Sequence, residues 1–167
     1  FQKQLQSYYI FIHIMEKKFK FENLYISDLL DIQILQEKNV REINNVWTKH
    51  ELINLKMKKN NFLRVSKYKK KIVGFSLFSY TQDFMDTLLI FVDPDFRRNG
   101  IAKRFLFDAE YFCREYSIKK IILEVNEFNI SALSLYNKLN FKKTGIKKNY
   151  YKFDGKNYNA IIMELNL

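Results

Sequence analysis

Arg97-Arg98-Asn99-Gly100-Ile101-Ala102 stands between two stretches of opposite character, and its reading decides the fold. Before it runs Thr87-Leu88-Leu89-Ile90-Phe91-Val92, a continuous apolar strand pattern closed by Asp93-Pro94. After it, Ile101, Phe105, Leu106, Ala109, Phe112, Cys113 and Tyr116 recur at helical spacing. A strand, a short turn with a glycine and a helix start aim several backbone N–H groups at one place, because first-turn amides lack intrahelical partners. The helix dipole adds partial positive charge there, so the turn suits a phosphate. Gly100 lets the main chain approach an anion, and Ala102 keeps the next turn open. A plain strand–turn–helix with exposed arginines fits the same residues.

Working outward, residues 19–26 read as a strand, with Ser27 the candidate N-cap of a helix ending near Asn39. Thr48-Lys49-His50-Glu51 matches a capping box and starts a second helix, with Trp47 placed to staple it to the core. Residues 61–66 and 71–80 form two strands around a solvated tip of Lys67, Lys69, Lys70 and Lys71, and residues 84–92 form the next. Residues 119–125 carry a buried-strand pattern with Glu124 near its end. A short helix over 129–139 closes on Asn140, and residues 141–151 and 158–165 make a last hairpin around Asp154-Gly155. The order β-α-α-β-β-β-α-β-α-β-β predicts an α/β fold, a mixed sheet covered by helices on both faces.

At 167 residues the chain has the length of one domain with a substantial core, and 47% hydrophobic and 17% aromatic content excludes a disordered chain. The net charge of +11 would suit an anionic ligand or a nucleic acid. Lysine far outnumbers arginine, and Asn, Ile, Phe and Tyr abound, so A+T-rich codons account for the charge as well. Direct nucleic-acid binding is therefore not expected. The lone cysteine, Cys113, falls on the apolar helix face as a structural thiol and fits a reducing compartment. No apolar run has the length of a membrane span; Tyr8 to Ile14 is too short and lacks a cleavage pattern. His13 and His50 have no partners at metal-ligand spacing, so no metal is expected.

Phe1 stands first, and Met15-Glu16-Lys17-Lys18 reads as a plausible start. Residues 1–14 are thus taken as an extension of unknown role and 15–167 as the domain.

Arg97-x-x-Gly100-x-Ala102, Val92-Asp93-Pro94 and Asn129-x-x-Ala132-x-x-Leu135-Tyr136-x-x-Leu139-x-Phe141 together resemble the GNAT N-acetyltransferases over most of residues 19–165. Trp47-Thr48, Leu123-Glu124-Val125, Lys147-Lys148-Asn149-Tyr150-Tyr151, and Asp154-Gly155 followed by Ala160-Ile161-Ile162-Met163 are similar to the RimI-type branch. That branch acetylates the N-terminal alanine of a small-subunit ribosomal protein. Asn140 replaces the family's usual Gly, and Asn tolerates positive φ.

The resemblance implies a GNAT fold, acetyl-CoA as co-substrate, and an acceptor that is a protein N-terminus. It implies that Arg97, Arg98, Asn99, Gly100, Ile101, Ala102 and Lys103 hold the cofactor's pyrophosphate. Main-chain groups of Ile90, Phe91 and Val92 would pair with the pantetheine arm, the Val92 amide polarising the thioester carbonyl. Glu124 would be the general base and Tyr136 the acid, also at the cofactor; Asn129 would bond the cofactor arm; Trp47, Tyr150 and Tyr151 would line the peptide site. Other roles fit the same residues: Glu124 as a rim charge paired with lysine, Tyr136 as a core ring, Asn129 as a helix N-cap. Strand alternation would send Tyr150 and Tyr151 to opposite faces. A cytoplasmic monomer attacking directly in a ternary complex follows, with an organelle the alternative if residues 1–14 are the remnant of a leader. A lysine or small-amine acceptor, or a non-catalytic RNA-binding module on the same fold, are the rival readings.

Overall fold

The computed structural model describes residues 2–40, 43, 46–153 and 155–167. In chain order these form α1 (Gln2–Lys18), β1 (Lys20–Asn23), α2 (Leu29–Lys38), α3 (Lys49–Met57), β2 (Asn61–Tyr68), β3 (Lys71–Tyr80) and β4 (Phe84–Val92). Then follow α4 (Ile101–Glu115), β5 (Lys120–Asn126), α5 (Ile130–Lys138), β6 (Lys142–Phe153) and β7 (Lys156–Asn166), with 3-10 turns at Ile26–Asp28 and Pro94–Phe96. The strands join in one seven-stranded sheet ordered β1-β2-β3-β4-β5-β7-β6. All pairs are antiparallel except β4 with β5. This is the mixed sheet that the sequence predicts.

Alternation along the strands sorts the core into layers. Leu29, Ile32 and Leu35 of α2 and Leu52 of α3 pack with Leu63, Val65, Phe75, Leu77 and Phe91 on one face. On the other, Leu106, Ala109 and Cys113 of α4 pack with Phe78, Met85, Ile121, Leu123, Val125 and Met163. Met15 of α1 joins Phe19, Val73, Ile101 and Phe105 on that same side. Burying a ring such as Phe75 or Phe105 is worth about 3 kcal/mol.

Several local expectations shift. The first strand is only Lys20–Asn23, and Ser27 does not cap α2. There the Tyr25 amide donates to Asp28 Oδ2 at 2.8 Å, and a 3-10 turn leads into the helix. Thr48 does cap α3: its amide donates to Glu51 Oε2 at 2.8 Å while the Glu51 amide donates to Thr48 Oγ1 at 3.2 Å. Lys67 is not part of the lysine tip, because it is drawn inward between Glu22 and Asp28 at 2.6 and 2.7 Å. The tip is Lys69-Lys70, with φ of 47° and 71° closing a tight hairpin turn. Tyr116 leaves the apolar face of α4 and is exposed, while Arg104 takes a buried place on it. Its guanidinium satisfies Asp108 at 2.7 Å and Glu16 at 3.2 Å. Asn140 adopts φ of 66°, as the turn after α5 requires. Of the Asp154-Gly155 turn, Asp154 lies outside the described residues. No helix is long and apolar enough to cross a membrane, among the described residues.

Candidate active site

The parallel strands β4 and β5 pair only from Phe84↔Lys120 to Thr87↔Leu123. Beyond that point β4 stays with β3 as far as Val92, and β5 stays with β7 as far as Asn126. A register shift leaves Leu88 as an extra residue of β4 where the pairing stops. The strands therefore part, opening a gap at their C-terminal ends, where α4 and α5 begin. Ligands of open α/β sheets gather at such a place.

One wall of the gap is the free edge of β4. The Asp93 amide donates to Val73 O on the β3 side at 2.9 Å. Successive strand residues present their amides to opposite edges, so the Val92 amide faces the gap. Arg97 Nε donates to Val92 O at 3.2 Å, tying the following turn to this edge.

At the head of the gap lies the 97–103 turn. The buried Asp93 side chain accepts from the Asp95 amide at 3.2 Å and sets the 3-10 turn that leads there. Arg98 and Gly100 both take positive φ, 63° and 84°. Intrahelical bonding starts with the Arg104 amide on Gly100 O at 2.9 Å, so the Ile101, Ala102 and Lys103 amides lie upstream of it. Gly100 is half-buried and Ile101 packs into the core, which anchors the turn. This donor set fits a diphosphate. The Asn99 side chain is folded back, donating to Phe96 O and Arg97 O at 3.1 Å each.

The opposite wall carries the titratable groups. Ile121, Leu123 and Val125 point to the α4 side, so Glu124 points to the α2/α3 side. Its carboxylate holds the Lys147 ammonium of β6 in a hydrogen-bonded ion pair. This bond pushes the Lys147 pKa up. Tyr151 donates to Glu124 O at 3.4 Å, and burial, with the Glu124 charge, pushes its phenol up. A hydrogen bond to the Glu124 side chain, with partial burial, raises Tyr150 as well. The Lys147 ammonium lies 4.9 Å from the Tyr150 ring centre.

The expectation that Tyr150 and Tyr151 face opposite sides is corrected. Lys147 pairs with Ala160 and Tyr151 with Tyr158, so β6 spends four steps on two of β7. The excess bulges out at Asn149, φ of 54°, whose amide donates to Asn159 Oδ1 at 3.0 Å. Alternation fails there, and the two rings meet beside Glu124.

Tyr136, on α5, packs against Phe141 with ring centres 5.7 Å apart. Burial pushes its phenol up to about 12. Asn129 is the N-cap of α5, its Oδ1 accepting from the Ala132 amide at 3.1 Å. Trp47 packs half-buried against the α2/α3 core, its amide and carbonyl both held by the Gln36 side chain at 2.9 and 3.0 Å.

Asp86 was not singled out by the sequence reading. It follows core residue Met85 on β4, so it points to the same side as Glu124. Burial, then the Glu124 charge, pushes its carboxyl up. An acid interrupting an otherwise apolar strand pattern was the available signal.

A sequence profile of the acetyltransferase (GNAT) domain matches residues 32–163. The [ribosomal protein bS18]-alanine N-acetyltransferase of Haemophilus ducreyi is 32% identical over 122 residues, 72% of this chain and 83% of that protein. Its namesake from Escherichia coli K12 is 33% identical over 91 residues, 53% of this chain and 62% of that one. The crystal structure of the Escherichia coli ribosomal-protein-S18-alanine N-acetyltransferase superposes with a TM-score of 0.79, at 23% identity, covering 89% of this chain and 93% of that one. That last likeness speaks for the fold.

Proposed function

Because the chain belongs to the GNAT acetyltransferase family, we propose that it carries the acetyl group of acetyl-CoA to the α-amine of a protein N-terminus. The acceptor in this reading is the N-terminal alanine of ribosomal protein bS18, for which its relatives are named. The enzyme works as a cytoplasmic monomer, without membrane attachment. The single observation that carries the reading is the parting of β4 and β5 between Val92 on one edge and Glu124, Tyr150 and Tyr151 on the other.

The bound co-substrate supplies an activated acetyl thioester. The amides of the 97–103 turn hold its diphosphate, with Arg97, Arg98 and Lys103 adding charge. Main-chain groups of Ile90, Phe91 and Val92 hold its arm, and Asn129 adds a side-chain contact. The Val92 amide donates to the carbonyl oxygen that gains charge; a preorganised donor of this kind is worth about 10²–10³ in rate. A terminal amine, with a pKa near ~8, arrives mostly protonated and cannot attack until it gives up a proton. Glu124 accepts that proton, directly or through water. The entering ammonium takes the place that Lys147 holds against this carboxylate. The amine nitrogen bonds to the acetyl carbon, the carbon–sulfur bond breaks, Tyr136 gives its phenolic proton to the departing thiolate, and the second proton released by the acylated nitrogen passes through water to restore the phenol. Burial keeps the phenol neutral at working pH, so it holds a proton. Tyr150, Tyr151 and Trp47 line the groove for the first residues of the acceptor.

The test offers acetyl-CoA with an alanine-initiated bS18 peptide, a lysine peptide blocked at its N-terminus, and a polyamine, and reads the products by mass spectrometry. Acetylation of the peptide's α-amine is expected. Preferred modification of the lysine or polyamine would overturn the acceptor, and none at all would overturn the activity.

A further inference from the structure

Helix α1 sits against the turn assigned above to the cofactor. A Cβ built on Gly100 would stand 3.0 Å from two ring carbons of Phe11 and 3.4 Å from the Met15 sulfur. Lys18 Nζ donates to Asn99 Oδ1 at 2.7 Å. The Lys103 ammonium lies 4.6 Å from the Phe11 ring centre and 5.1 Å from that of Phe107. Phe11 meets Phe107 edge-on at 5.7 Å. Glu16 reaches Arg104 one turn further along α4.

Phe11, Met15 and Lys18 follow the spacing i, i+4, i+7, so a single stripe of α1 makes these contacts. They fall on Asn99, Gly100 and Lys103, three residues of the same turn. The matched family domain begins only at residue 32, so α1 lies outside it. Beyond the turn, Met15 packs in the core with Phe19, Val73, Ile101 and Phe105, and the Phe19 amide donates to Met15 O at 2.8 Å.

We infer that α1 is part of the acetyl-CoA site, its Phe11–Met15–Lys18 stripe holding the 97–103 turn in its anion-binding shape. The inference rests on the reading that this turn holds the diphosphate. A turn with two positive-φ residues has many competing conformations when unsupported. Phe11 fills the space beside Gly100, and Lys18 holds Asn99 folded back, so the amides stay converged before the ligand arrives. Preorganisation of this kind raises affinity by removing the cost of ordering on binding. Linkage makes the effect mutual: the ligand that needs the ordered turn also tightens the docking of α1. Phe11, Met15 and Lys18 are positioning residues, since they act through the turn.

The test uses the full chain with Phe11→Ala, Phe11→Leu and Lys18→Ala, the last an exposed residue whose loss leaves the core intact. Calorimetry with coenzyme A is expected to show Kd weakened about five- to tenfold in Phe11→Ala and Lys18→Ala. Phe11→Leu, which refills the seat, restores most of it. KM for acetyl-CoA rises by the same factor, while kcat and KM for the peptide hold. Coenzyme A slows amide hydrogen exchange across residues 9–18 of the parent chain. If the parent binds coenzyme A and the variants bind equally well or more tightly, the inference is overturned and the cofactor site stands. If the parent does not bind it, the site reading falls first and takes this one with it.

Discussion

Tyr150 and Tyr151 are adjacent in the chain, yet their rings meet edge to face, 5.1 Å between centres and at 82°. Neighbours on a regular strand cannot do this, because their side chains leave opposite faces. The bulge at Asn149 turns one of them over. Tyr151, half-buried, is tied to the main chain of Glu124, while Tyr150 is half exposed at the rim. The pair thus builds one aromatic wall beside the carboxylate, with a fixed inner ring and an accessible outer one.

Glu124→Gln keeps the shape and hydrogen-bonding capacity of the side chain while removing its basicity. Turnover is expected to fall by about 10²–10⁴, the range for a positioned general base. Calorimetric binding of acetyl-CoA should hold, because Glu124 lies on the β5 wall, across the gap from the 97–103 turn. Retained turnover would show that the carboxylate is only the partner of Lys147.

Tyr136→Phe removes one hydroxyl from a ring packed on Phe141. The loss should appear in kcat, by about 10² or more, with the thermal midpoint nearly unchanged. An acceptor KM shift without a kcat change would assign Tyr136 to packing.

The sequence made some of this legible and hid the rest for physical reasons. The strand over 84–92, the glycine turn and α4 could be read because apolar runs, a turn residue and helical spacing are local signals. The Thr48–Glu51 box was legible for the same reason. The gap was not, since it depends on where β4 and β5 stop pairing, a relation between strands separated by a helix. Nor could alternation place Tyr150 and Tyr151, because their arrangement depends on how many residues β7 offers opposite the bulge. Asp86 acquires its character from burial and then from Glu124 on the neighbouring strand. Buried Arg104 gains its place from Asp108 and from Glu16, which sits on a helix no periodicity argument had included.

Asp86 gives a pH prediction with a definite sign. Burial and the nearby Glu124 charge hold its carboxyl above the ordinary value of 3.8. The folded chain therefore binds this proton more tightly than the unfolded chain does. The stability it contributes is complete below 3.8 and is lost as pH climbs through the raised folded value. Asp86→Asn removes that dependence, so its urea midpoint should fall less than the parent's between pH 4 and pH 7. Parallel pH profiles for the two chains would refute the electrostatic account of Asp86.

Cys113 decides between direct transfer and a covalent acetyl-enzyme. It is fully buried on α4, 3.8 Å from the Met85 sulfur, and burial pushes its thiol up to about 12. With that value only about one molecule in 10⁵ carries a thiolate at pH 7. A group so seldom ionised, and sealed between helix and sheet, cannot accept an acetyl group at a useful rate. Cys113→Ala should therefore keep kcat within about twofold and lose about 1 kcal/mol of stability from the small cavity left behind. A thiol reagent should react with the parent chain only after denaturation. A dead Cys113→Ala variant that still folds, or an acetylated Cys113 trapped by mass spectrometry, would replace direct attack by the terminal amine with a two-step transfer.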